Sequence, residues 1–550
     1  MSTEQNRQTE QNPRLENTKQ ENDPNPYKWT VMVYLAGDNN LGEECIYALT
    51  EMQKVGTIED KLAIVAQLDS GAHENTRIRV DKSTTPGSLV AALNKSRDER
   101  LRRKAQNGRG HQTPSYFNVL ADFVKTTIRQ YRADHYMLVL AGHGHGVAHD
   151  FLDKEDADRV YGLSIPALGK LLKDVSAELG DIRGDPNGDH RLDIVGMDCC
   201  LMSMTEVGYA LHNFVDIMIG AEGYEPLAGW PYAAVLDQIN GLTSEQADAD
   251  AVRKLAERIV CTYIQYYTNY QAANISVDQA ACDLRESKRL SFAVKSLSTT
   301  LRDYLGTASE RDEDGRTTLS RQPDPVVKDA LLLAHWEAQS YKNEQYTDLY
   351  DFCRLLRDRI PPDGQWARPD VRRACQNVMN AIAGSAAEGD NARLADSEFQ
   401  NTKGFVLRSC YSGWVVQYSY GVSIYFPWSE APADLDNYAR LFFARDTEWA
   451  EFLKSYLAAT KRDRRKGIGE RQDSRDFAMF REQFAAETLG MTGERAILWT
   501  GHRVGAHRDG SYSRDGSYSR DGSYSRGMSN DIGTMKNPPT DYEDCGCSDK

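Results

Sequence analysis

Short, continuously apolar runs recur through the first 240 residues, and each ends in Gly, Asp or Asn. WTVMVYLAGDNN (29–40), KLAIVAQLDSG (61–71), HYMLVLAGHGHG (135–146), LDIVGMD (192–198) and VDIMIGAEG (215–223) read as buried strands. The stretches 41–55, 119–131, 165–179 and 205–214 read as helices between them. Strands apolar on both faces that alternate with helices predict an α/β/α sandwich around a mostly parallel sheet. Beyond about residue 240 the pattern turns helical, at 245–270, 286–305, 324–357, 369–387 and 438–460. One further β-rich run, YGVSIYFPW (420–428), is expected to return to the sheet. The expected organisation is a disordered leader at 1–26, an α/β domain at 27–240, and a helical portion at 241–460. A charged linker and low-complexity tail follow at 461–550, where RDGSYS occurs three times at 508–525.

Composition narrows this picture. The 550 residues carry a formal net charge of −15, which argues against a nucleic-acid binder and for an acidic globular protein. No apolar run approaches the ~18 residues that a membrane span needs. The leader has no apolar core and no small-residue cleavage site, so it does not read as a secretory signal. Ten cysteines in so long a chain are too sparse for a disulfide framework. Together these features predict a cytoplasmic protein with reduced thiols. The tails are the segments left to contact partner proteins.

Candidate chemistry lies where the predicted strands end, the place where open parallel sheets collect ligands. Gly37–Asn40, Gly142–Gly146, Asp198–Cys200 and Glu222–Trp230 all fall there. A cysteine nucleophile needs a lowered pKa or a nearby base. Cys200 closes one strand and precedes a predicted helix, whose N-terminus favours negative charge. His143 closes another strand and is favoured over the more distant His145. Cys200 is favoured over Cys199, which suits a small buried filler. The amide of Gly144 is placed to help stabilise an oxyanion. Zinc is disfavoured, because adjacent Cys199 and Cys200 lack the usual ligand spacing. DPNGDHRLD (185–193) is similar to the opening of a calcium loop, with Asp185, Asn187 and Asp189 as candidate ligands and Asp193 a weaker one. Its sixth position is His190 rather than Gly and its twelfth is Gly196 rather than an acid, so a surface turn is the favoured reading.

As an ordered set, YLAGDNNL (34–41), HGHG (143–146), DCCLM (198–202), GWPY (229–232), DLYDF (348–352) and SIYFP (423–427) resemble the clostripain-like cysteine peptidases, relatives of caspases and gingipains. The resemblance spans roughly residues 28–455. It implies a caspase-like α/β/α sandwich with a helical C-terminal portion, and endopeptidase activity through His143 and Cys200. It further implies an oxyanion site at the Gly144 and Cys200 amides, a substrate pocket at Asp198 and Trp230, and self-cleavage, for which Lys154 and Arg159 are candidates. It admits calcium as a cofactor. Members that cut after Arg or Lys carry a second pocket acid just before Gly-Trp, where this chain has Ala228. Glu222 and Glu225 are the candidates to replace it. Two alternatives remain at this stage. A metacaspase-like peptidase is disfavoured by Leu201-Met202-Ser203 after the cysteine, and a non-catalytic scaffold would use the tails.

Overall fold

The computed structural model of the chain describes residues 27–69, 76–83, 116–148, 150–156, 159–242, 249–271, 275–309, 317–342, 344–384, 404–428 and 432–467. The leader, the RDGSYS repeats, Cys545 and Cys547, and the linker beyond residue 467 lie outside the described residues.

Thirteen strands are described. They are β1 (Tyr27–Ala36), β2 (Leu62–Asp69), β3 (Thr76–Arg79), β4 (Ala133–Ala141), β5 (Phe151–Asp156), β6 (Arg159–Leu163), β7 (Leu192–Asp198), β8 (Val215–Gly220), β9 (Val277–Asp283), β10 (Ser340–Tyr341), β11 (Tyr346–Asp348), β12 (Val406–Ser412) and β13 (Ser423–Tyr425). Eight of them form one sheet in the order β12-β9-β8-β7-β4-β1-β2-β3. The five central strands, β8 to β2 in that order, run parallel, and β3, β9 and β12 pair antiparallel at the edges.

Alternate residues of β1 enter two separate cores, as period-2 geometry requires. Val31, Val33 and Leu35 pack with the helices Gly42–Val55, Tyr232–Gly241 and Ala249–Thr268. Met32, Tyr34 and Ala36 join the core that contains the helices Tyr116–Gln130, Ile165–Arg183 and Thr205–Leu211. The expected α/β/α sandwich is therefore present. Among the described residues, no helix is long and apolar enough to cross a membrane.

The portion beyond residue 240 differs from expectation. It contributes two strands, β9 and β12, to the main sheet, and its helices beyond Ala249–Thr268 share one continuous core with Met32 and Leu138. Residue 240 is therefore not a break in packing. The returning strand is β12, not 420–428. Only Ser423–Tyr425 of that run is a strand, and it joins β10 and β11 in a separate three-stranded sheet. The rest of the run is apolar because it is core. Phe426 packs edge-on against Trp449 and face-to-face on His335.

Glu206 joins the two halves from inside the core. Its carboxyl accepts hydrogen bonds from the Tyr425 amide (2.9 Å), the Tyr438 hydroxyl (2.8 Å) and the Thr205 hydroxyl (2.9 Å). Burial pushes its pKa from 4.5 up to about 7, against the opposing pull of these bonds. Between those two pH values the folded chain keeps a proton that the unfolded chain has lost, so stability falls as pH rises through this window. The full penalty is about 3 kcal/mol. Glu206→Gln keeps the acceptor oxygen and cannot ionise. Denaturant unfolding at about pH 5 and pH 8 is expected to show the wild type losing stability relative to this variant by an amount of that order. Equal pH dependence in the two proteins would show that the carboxyl does not titrate there.

Candidate active site

The register of the sheet brings three strand ends level. Leu35 of β1 pairs with Ala141 of β4, and Ala141 pairs with Asp198 of β7. Strand order reverses between β1 and β4, because the chain adds β2 on one side of β1 and later strands on the other. A crevice opens at such a switch point, beyond the carboxyl ends. The loops after β1, β4 and β7 all emerge there.

The first loop is fixed by Asn39, whose side chain donates to the Ala36 carbonyl (3.2 Å) and accepts from the Leu41 amide (2.8 Å). That turn presents Asn40, whose Oδ1 lies 2.6 Å from His143 Nε2. The His143 carbonyl accepts from the Leu152 amide at the start of β5 (2.8 Å). His145 behaves differently. Its carbonyl accepts from Lys342 Nζ (2.9 Å) and from the Tyr346 hydroxyl, so the hairpin β10–β11 of the C-terminal half clamps the histidine loop.

The third loop carries the cysteines. Leu201 adopts φ +65°, and its amide donates to the Gly223 carbonyl (2.9 Å), while the Ser203 amide donates to Ala221 (2.9 Å). The turn after β7 is thus laced to the loop after β8. Cys199 points into the core and is 1% exposed. Cys200 is half-buried, and its Sγ accepts the Glu225 amide at 3.3 Å. Gly144 packs directly on Cys200. A Cβ at position 144 would lie 2.0 Å from the Cys200 carbonyl oxygen and 2.8 Å from its nitrogen.

One cleft is lined by His143, Cys199, Cys200, Asp198, Glu225, Glu44, Cys45 and the apolar Leu35, Leu41 and Leu227. His143 and Cys200 therefore meet at one cleft, whereas His145 does not line it. The helix N-terminus expected beside Cys200 is absent. The following helix begins at Thr205, after an intervening turn. Burial and the Glu225 charge instead push the Cys200 thiol up to about 12, so at rest it holds its proton.

Asp198 is buried beneath the cleft. Its Oδ1 accepts the Trp230 amide (3.1 Å) and its Oδ2 the Tyr232 hydroxyl (2.6 Å). Gly229, at φ +65°, lets the loop close over this carboxylate, since a Cβ there would stand 2.9 Å from both oxygens. Glu225 Oε1 accepts from Trp230 Nε1 (3.4 Å) and Gln279 Nε2 (3.3 Å). Burial, then the adjoining Asp198 charge, push Glu225 well above the usual carboxylate range. Burial raises Asp198 as well.

Of the two acids weighed against Ala228, Glu225 is the one in the cleft. Glu222 instead accepts the Gly421 amide (2.6 Å) within a separate buried group with Asp278 and Asp348. Trp230, expected at the substrate pocket, is 1% exposed and forms a back wall behind Glu225. Asn40, Glu44 and Cys45 were not anticipated. Asn40 was within reach, because it ends a flagged strand-end turn.

The calcium-like turn does not assemble a site. Arg191 Nε takes both oxygens of Asp189 (2.9 and 3.0 Å), and Asp193 holds His135 (2.7 Å) and the Tyr136 amide (2.8 Å). Asp185 uses its carbonyl to accept from His190 (2.6 Å). Among the described residues, no group of three or more His, Cys, Asp or Glu is placed to hold a metal. Lys154 and Arg159 lie on β5 and β6, where the backbone pairs Lys154 with Tyr161 and Asp156 with Arg159.

Residues 33–456 match the sequence profile of the clostripain family. The chain is 19% identical to clostripain of Hathewaya histolytica over 365 residues, covering 62% of this chain and 67% of that one. It is also similar to two solved structures from Bacteroides thetaiotaomicron. One is a secreted C11 cysteine protease bound to an irreversible peptide inhibitor, at 17% identity and TM-score 0.45, covering 77% of this chain and 99% of that one. The other is a secreted C11 cysteine protease called iotapain, at 14% and 0.43, covering 79% and 100%. The cytoplasmic location expected from the leader is corrected by these neighbours, both described as secreted. Seven described cysteines, Cys45, Cys199, Cys200, Cys282, Cys353, Cys375 and Cys410, are free. The polarity of a leader reports on that stretch alone and does not fix the compartment in which the folded chain works.

Proposed function

The chain belongs to the clostripain family of cysteine peptidases, and on that premise we propose that it hydrolyses peptide bonds after Arg or Lys through a Cys200–His143 dyad. The observation that carries this reading is the shared cleft, with the half-buried thiol, the imidazole and two acids at the ends of adjacent strands. Cys200 attacks the scissile carbonyl as its proton passes to His143, and Asn40 orients the imidazole. The Gly144 and Cys200 amides, whose backbones pack together, receive the developing oxyanion. His143 then protonates the leaving amine, and water releases the acyl group from the sulfur. Asp198 and Glu225 receive the guanidinium or ammonium of the residue before the cut bond. Self-processing after Lys154 or Arg159 belongs to the same proposal, because the β5–β6 hairpin follows the His143 loop directly.

The test is a peptide-library digest read by mass spectrometry, together with the intact mass of the enzyme. Arg or Lys is expected before the cut bonds, with chain scission at residue 154 or 159. Cleavage without a basic preference would remove the specificity, and absence of cleavage would remove the dyad.

A further inference from the structure

The loop that carries His143 has little stiffness of its own. Gly142, Gly144 and Gly146 are three of its five residues, and a glycine has no side chain to restrict its backbone. The base of the loop is fixed by the main sheet, where Ala141 pairs with Asp198. Its tip is fixed by the small sheet of β10, β11 and β13. Tyr346 of β11 is fully buried, and its hydroxyl donates to the His145 carbonyl and accepts from the Ala148 amide (3.2 Å). Gly146, at φ +62°, comes so close to the ring that a Cβ there would stand 2.6 Å from its Cζ. Lys342, just after β10, gives the His145 carbonyl a second donor (2.9 Å), and its ammonium lies 5.5 Å from the centre of the Tyr346 ring. Lys342 stands at φ +49°, a left-handed backbone that a lysine keeps only where its surroundings hold it there.

The same small sheet holds the other catalytic loop. In β13, Ser423 pairs with Asp348 of β11, and Tyr425 pairs with Tyr346. The Ser423 amide (2.9 Å) and hydroxyl (3.2 Å) both donate to the carbonyl of Ser203, which closes the turn after Cys200. The Ser203 hydroxyl donates in return to the Gly421 carbonyl (2.8 Å). One three-stranded unit of the C-terminal half therefore grips the histidine loop through β11 and the cysteine turn through β13.

We infer that this small sheet is a brace that sets the separation of His143 and Cys200, with Tyr346 and Lys342 as positioning residues for the imidazole. That assignment rests on the Cys200–His143 dyad proposed above and gives the C-terminal half a task in the reaction. Neither Tyr346 nor Lys342 lines the cleft, so each acts through the loop and not by touching substrate. A cut after residue 154 or 159 falls beyond Ala148, so self-processing would leave the grip on the histidine loop in place.

The experiment uses the full chain and the chloromethyl ketone of a peptide that the wild type cuts in the library digest. Alkylation of Cys200 is followed by intact mass, and its rate at saturation is separated from the concentration that gives half that rate. Tyr346→Phe keeps the ring against Gly146 and removes only the hydroxyl. It is expected to slow alkylation at saturation by about 10- to 100-fold, with the half-saturating concentration changed by less than about threefold. Lys342→Met is expected to slow it by about three- to tenfold. Adding Tyr346→Phe to His143→Ala is expected to change the rate by less than about twofold, because the hydroxyl then has no imidazole to position. Thermal unfolding identifies a variant that has not folded, and Lys342→Met carries the test if Tyr346→Phe is one. Unchanged rates in folded Tyr346→Phe and Lys342→Met, beside a slow His143→Ala, would overturn the brace and leave the dyad standing. Equal losses from Tyr346→Phe with and without His143 would overturn it too, since the hydroxyl would then act elsewhere. A His143→Ala protein alkylated as fast as wild type would remove the dyad, and this inference with it.

Discussion

Cys200→Ala is expected to lower kcat/KM on a peptide reporter by at least about four orders of magnitude, while Cys199→Ala keeps activity within about tenfold of wild type. The two thiols are adjacent in sequence but occupy different environments. Cys199 is 1% exposed and belongs to the core that contains Met197 and Leu201. Its loss leaves a small void at the inner wall of the cleft, which costs about 1–2 kcal/mol of stability and leaves the Cys200 sulfur and His143 in place. Cys200 is half-buried, and its sulfur sits at the cleft with the Glu225 amide 3.3 Å away. Because that thiol is pushed up to about 12, it is not a standing thiolate. The reaction therefore depends on transfer of its proton to His143 once substrate is bound. A peptidyl electrophile should label Cys200 in wild type and in Cys199→Ala, and should fail on Cys200→Ala. Labelling of Cys199, or activity surviving in Cys200→Ala, would assign the chemistry to the wrong sulfur.

Much of the site was legible because it sits at strand ends. Buried parallel strands must be continuously apolar, so the point where apolarity stops marks the rim of the sheet. HGHG after β4 and DCC at the end of β7 stop at the same level because the register pairs Ala141 with Asp198. What stayed hidden depended on features that apolar periodicity does not encode. β12 reads VLRSCYS, with Arg408 buried at 4% exposure and donating to Cys410 Sγ at 3.3 Å. Its polar residues concealed a sheet strand, whereas the apolar run 420–428 looked more like one and mostly serves the core. The turn Leu201–Met204 was equally hidden, since a non-glycine residue at φ +65° is not announced by its type. It displaced the helix N-terminus from Cys200. Glu225 lies in an irregular loop, and only the folding of that loop over Asp198 through Gly229 selects it over Glu222.

Gly144→Ala is expected to cost about 10²- to 10³-fold in kcat/KM while the protein remains folded. The added methyl would stand 2.0 Å from the Cys200 carbonyl oxygen, far inside van der Waals contact. The obstructing atoms belong to the backbone, so no side-chain rotation relieves the clash. Either the loop after β4 must lift, carrying His143 from Asn40, or the turn after β7 must retreat, carrying Cys200 from the Glu225 amide. Either movement separates the imidazole from the sulfur and spreads the two proposed oxyanion amides. The expected stability cost of about 1–3 kcal/mol is that of overpacking one buried contact, which leaves the remaining sheet core in place. Gly241→Ala is the matched control, because a methyl there meets nothing within 4 Å. Peptide cleavage, electrophile labelling of Cys200 and thermal unfolding, measured on the three proteins together, separate a displaced site from a lost fold. Near-wild-type cleavage by Gly144→Ala would mean that the two loops tolerate a separation of more than an ångström, and that the dyad does not depend on their direct contact.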